Sequence, residues 1–132
     1  MAAEVKLDAA GVVKLKTLDE ALVVLQRIHG IVEQYAVAFK RGQPTMTYVM
    51  NLRRQLPSFA ANLKAHFSLI ADEALALNLA TSRGASEQTR VRLLREGVAR
   101  MRTNIEIAAI QTRTKHQVSD EKSSATDGEN AR

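Results

Sequence analysis

TMTYVMNLRRQLPSFAANLKAHFSLIADEALALNLA, residues 45–80, decides the fold. Its apolar residues fall at alternating three- and four-residue steps: Val49, Leu52, Leu56, Phe59, Leu63, Phe67, Ile70, Ala74 and Leu77. That spacing is the seam of a helix that packs lengthwise on other helices. Pro57 lies inside it, and a proline removes one backbone hydrogen bond and crowds the preceding turn. The apolar steps nevertheless continue through Pro57. The stretch therefore reads as one continuous, Pro-kinked helix, roughly 50 Å long at the helical rise.

Two more seams flank it. Before it come Leu18, Ala21, Leu25, Ile28, Val32, Tyr35 and Phe39; after it come Val91, Leu94, Val98, Met101, Ile105 and Ala108. Thr17 with Glu20 three residues later forms a capping box for the first helix. Lys40 and Arg41 suit its negative end, and Gly42 suits the residue just past it. Pro44 fits the first turn of the middle helix. Ser86 is the expected N-cap of the third, which should end between Thr114 and His116. Gly30 interrupts the first helix, either for a close helix approach or as a tolerated solvent-side glycine.

The expectation is an all-α fold: an antiparallel three-helix bundle or coiled coil with a long, Pro-kinked middle helix and a disordered C-terminal tail. Residues 1–16 read as a short segment, docked or frayed, residues 17–116 as the bundle, and residues 117–132 as the tail. That tail has one valine among small polar residues and cannot offset its ordering entropy. The C-terminal part of the middle helix should overhang its neighbours, carrying Leu75, Leu77 and Leu79 as candidate partner-binding residues. The overhang is either a partner surface or a dimer seam.

Composition removes many chemistries. There is no cysteine, hence no disulfide, thiolate nucleophile or cysteine-based metal site. No run of about 18 apolar residues is present to span a membrane. The first 16 residues mix acids with lysines and do not read as a targeting segment, so the expected location is cytoplasmic or nuclear. His29, His66 and His116 lack the partners of a metal site: no histidine has another four residues away or a glutamate three before it. His66 sits at a seam position and reads as a partly buried, hydrogen-bonded histidine. It is followed by Phe67, Ser68, Leu69 and Ile70, without the nearby base that a phosphoaccepting histidine would need. Neither corner sequence, RGQPT or SRGAS, is a phosphate loop. No catalytic residue, cofactor or metal is expected, and the chain is read as a non-enzyme.

Charge is the remaining signal. The net charge of +5 is concentrated in residues 83–116, which alone carry +5. By helical phase Arg95, Arg102 and Arg113 share one side of the third helix, with Arg92 farther round. These four are the candidate anion-binding residues. Glu96 lies four residues from both Arg92 and Arg100, and Glu106 four from Arg102, so ordinary intrahelical pairs also fit. No aromatic residue interleaves with these arginines. The sequence thus favours a helical interaction protein, a small subunit or adaptor of a larger assembly. The alternative is a nucleic-acid-binding bundle that uses the arginine-rich helix.

Overall fold

The computed structural model describes residues 6–82 and 84–118. It is built from four helices: α1 (Ala9–Lys40), α2 (Met46–Leu63), α3 (Ser68–Ala80) and α4 (Glu87–Lys115). A two-residue strand β1 (Lys6–Leu7) pairs antiparallel with β2 (Gln117–Val118). The helices form a closed ring of neighbours, α1 on α2, α2 on α3, α3 on α4 and α4 on α1. Side-chain partners between α1 and α4 run in opposite order, Glu33 with Arg95, Gln26 with Arg102 and Asp8 with His116. The two long helices are therefore antiparallel, and the fold is an up-down-up-down four-helix bundle.

The expected single middle helix is thus two. α2 passes through Pro57 without ending, and the chain turns at residues 64–67 instead. Phe67 leaves helical geometry there, at φ −136° and ψ 60°. Folding back places Ile70, Ala71, Ala74 and Leu77 in the common core. A fully buried leucine or isoleucine contributes about 1.5–3 kcal/mol, which a straight overhang would forgo. His66 lies exposed in this turn, not on a buried seam.

The first helix also starts earlier than its sequence signal. Asp8, not Thr17, is the N-cap, its carboxylate accepting from the Gly11 amide at 2.7 Å. Thr17 sits inside α1 and donates to the Val13 carbonyl. Residues 117 and 118 belong to the β pair, so the expected tail is shorter by two residues; residues 119–132 lie outside the described part, as do residues 1–5. Elsewhere the expected boundaries hold. α1 ends at Lys40 in a Schellman turn, with Gly42 at φ 68°, its amide on Phe39 and that of Gln43 on Ala38. Ser86 caps α4 by accepting from the Thr89 amide. Pro44, expected in the first turn of the middle helix, instead lies before α2, whose cap position is Thr45.

The seam residues of the sequence line the core: Leu18, Leu25, Ile28, Val32 and Tyr35 from α1, Val49 to Leu63 from α2, and Val91 to Ile105 from α4. Phe39 is the exception and is partly exposed. Gly30 faces open space, which makes it the solvent-side glycine. Close approaches occur at Gly97, where an added Cβ would stand 2.6 Å from the Leu77 Cδ2, and at Gly11 near the start of α1, where it would stand 2.5 Å from the His116 Cβ.

Candidate interaction surfaces

α3 is the least polar helix of the bundle. Between Ser68 and Ala80 its only charged residues are Asp72 and Glu73. Glu73 is committed inward, accepting from Arg100 Nε and Asn104 Nδ2, both at 2.8 Å. A helix that is apolar around most of its circumference is normally covered on all sides. Here the outer side is open. Leu69 is 82% exposed, Leu79 63% and Leu75 45%. Leu75 and Leu79, four residues apart, share a face. Leu77 does not belong to that face: it is 7% exposed and packs over Gly97 of α4. Of the three leucines singled out by sequence, two point outward and one completes the core.

The apolar surface extends beyond α3. Met46 and Met50, exposed on the first turns of α2, stand at the end of the hairpin where α3 finishes. Arg53 of α2 fixes this register, its Nη2 donating to the Ser82 carbonyl at 2.8 Å. On the other flank, Phe67, Leu69, Ile70, Ile107 and Ala108 line an open groove of about 450 Å³ between α3 and α4. Sequence periodicity missed these flanking residues, because they join the patch only when α3 folds back.

The arginine face is largely occupied. Arg95 grips Glu33 of α1 with two donors, Nε at 3.0 Å and Nη2 at 2.8 Å. This fork holds the Glu33 carboxyl below its ordinary range and the Arg95 guanidinium above its own. Arg92 stands 3.6 Å from Glu96, and Arg102 donates to the Gln26 side-chain carbonyl at 3.0 Å. Arg113 is exposed, with no acidic partner among the described residues. The four candidate anion-binding residues thus lie along one helix, but three of them already have partners on the protein. An open groove of about 870 Å³ beside Arg92 and Arg95 is lined also by Val37, Phe39 and Lys40.

Two polar clusters that the sequence did not announce sit at opposite ends. At one end Tyr35, Thr45, Glu87 and Arg90 form a knot in which Tyr35 and Thr45 both donate to the Glu87 carboxylate. Burial pushes the Tyr35 phenol up from its ordinary value, and the hydrogen bond from Arg90 opposes that shift. At the other end His116 Nδ1 lies 3.0 Å from the Asp8 carboxylate, and its Nε2 lies 3.2 Å from Lys14 Nζ. Both clusters tie helices together, and the second borders an open cavity of about 190 Å³ lined also by His66, Gln111 and Lys115. Among the described residues no group of three or more histidines and carboxylates is placed to hold a metal, and no helix is long and apolar enough to cross a membrane. No protein family, curated protein or solved structure matches the chain.

Proposed function

We propose that this chain is a non-enzymatic helical interaction protein, a small subunit or adaptor of a larger assembly, that docks through the outer face of α3. One observation carries the reading: α3 is apolar around most of its circumference, yet Leu75 and Leu79 share a face open to solvent beside the exposed Met46 and Met50 of α2, and Leu69 is exposed at the neighbouring α3–α4 groove. Isolated exposed leucines are normal on a protein surface, whereas a contiguous patch marks an interaction site. The rival reading, nucleic-acid binding through α4, needs free cations. Arg95 is held by Glu33 and Arg92 stands beside Glu96, which supports the protein-interaction reading over it.

The test is affinity capture from native extract, with and without nuclease, comparing the unaltered chain with Leu75→Asp and Leu79→Asp. The expected result is a defined set of proteins that survives nuclease and is lost from both variants while their helical circular dichroism is unchanged. Capture that disappears with nuclease, weakens steeply with salt and falls with Arg95→Glu plus Arg102→Glu would favour the α4 reading instead.

A further inference from the structure

We propose that the outer face of the α2–α3 hairpin is a two-fold interface and that its occupant is a second copy of this chain. The inference rests on the interaction reading above and names its partner. The argument is the distribution of charge on this one face. α2 contains Arg53 and Arg54 and no acidic residue, while α3 contains Asp72 and Glu73 and no basic residue. Arg53 and Glu73 are engaged within the chain. Arg54 and Asp72 are exposed, and neither has an ion-pair partner among the described residues. By helical phase each points away from its own helix's buried side. The hairpin face therefore carries free cations at Arg54 and at Lys64, the C-cap residue of α2, and one free anion, Asp72, on the adjacent antiparallel helix, beside the apolar residues Met46, Met50, Leu75 and Leu79.

Such a face is complementary to itself. A two-fold axis parallel to the helices, passing between two facing hairpins, lays each α2 over the partner's α3 and keeps every residue at its own height. With the turn centred near residues 65 and 66, Arg54 stands level with residue 77. The partner's Asp72 is then roughly 7 Å away along the axis, a span that an extended arginine and an aspartate cover between them. The same operation brings Met50 against the partner's Leu79, and each contact occurs twice. The footprint is two helix widths by the length of α2, on the order of 20 × 27 Å. That area lies at the small end of specific interfaces, so the association should depend on concentration, with monomer and dimer both observable across the micromolar range.

The experiment is sedimentation equilibrium on the full chain from about 1 to 500 μM. The expected mass climbs from one 14.5 kDa chain to two. Arg54→Asp and Asp72→Arg should each stay monomeric, because each places like charges opposite one another at both contacts. An equimolar mixture of the two should dimerise again, since both contacts are then restored between unlike chains. Leu79→Asp should stay monomeric with unchanged circular dichroism. An unaltered chain that remains monomeric throughout overturns the proposal, as does a mass of three or more, or a dimer indifferent to the charge exchange. A monomer that still captures other proteins through Leu75 and Leu79 overturns the two-fold while leaving the interaction reading intact.

Discussion

Arg90 Nη1 donates to the Tyr35 hydroxyl at 3.0 Å, deep at the end of the bundle where all four helices meet. The same guanidinium donates to the Thr81 carbonyl at the end of α3 and to the Ala85 carbonyl in the following loop. Tyr35 in turn donates to Glu87. One planar cation thus satisfies a buried phenol and two backbone carbonyls that would otherwise lose water without replacement. A lysine's three donors all sit on one nitrogen, which cannot stand beside three acceptors that here bind three different guanidinium nitrogens. Arg90→Lys should therefore lower stability by about 1–3 kcal/mol and Tyr35→Phe by about 1 kcal/mol. Urea unfolding checks this, with a reduced midpoint at an unchanged slope.

Gly30 of α1 and Gly97 of α4 should respond in opposite directions to alanine. Gly30 faces open space, so Gly30→Ala only restricts the unfolded chain and improves helix propensity. It should raise stability by about 0.5–1 kcal/mol. At Gly97 the new methyl would meet Leu77 Cδ2 at 2.6 Å and Cδ1 at 2.9 Å. Leu77 is buried and has little room to move, so overpacking should outweigh propensity and leave a net loss of about 1 kcal/mol. Thermal unfolding of the two alanine variants decides this, and Gly97→Ala combined with Leu77→Ala should remove the clash.

These contrasts mark what the sequence could and could not say. The inward positions of α1, α2 and α4 were legible because burial imposes a periodic pattern. The break in the middle stretch was not, for a specific reason. Leu63 and Ile70, the last and first buried residues on either side of the turn, are seven residues apart, one whole heptad. The apolar rhythm passes through the turn without a missed beat, while Pro57, the visible breaker, is tolerated within α2. Leu75 and Leu79 of α3 are readable in the sequence as individual residues, whereas Leu69, the most exposed, carries no such signal. Which of them face outward depended on the fold-back, and this is why Leu77 was grouped with Leu75 and Leu79. Nothing in the sequence distinguishes Arg90 from the other arginines of α4, because its partner Tyr35 is distant in sequence and the others, at Thr81 and Ala85, are backbone carbonyls.

Acid should loosen the bundle through Asp8 and Glu33. The Gly11 amide and then His116 hold the Asp8 carboxyl below its ordinary value, and the fork of Arg95 does the same for Glu33. A carboxylate whose folded pKa is depressed adds stability that is fully present above its unfolded pKa. That stability is lost as pH falls through the folded value. The midpoint temperature should therefore hold steady near neutrality and fall below about pH 4. Glu33 and Asp8 are both solvent-accessible, so each effect is modest and weakened by salt. Asp8→Asn keeps a capping side chain but loses the charge, and together with Glu33→Gln it should flatten the acid limb in a pH series of melting curves.

The fold-back of α3 is open to direct measurement because the chain has no cysteine of its own. Thr47 and Ala80 are both exposed, at the far ends of α2 and α3. In a continuous helix they would stand about 50 Å apart at 1.5 Å per residue. In the hairpin they lie on neighbouring helices at one end of the bundle, with axes about 10 Å apart. Cysteines at both positions, spin-labelled and diluted with unlabelled chain to suppress contacts between copies, should give a distance below about 20 Å by pulsed electron resonance, allowing for the label linkers and the helix spacing. A distribution near 50 Å would restore the straight helix and remove the α2–α3 face altogether. The short distance would leave Leu75, Leu79 and Met50 on one surface, where the charge-exchange experiment can address them.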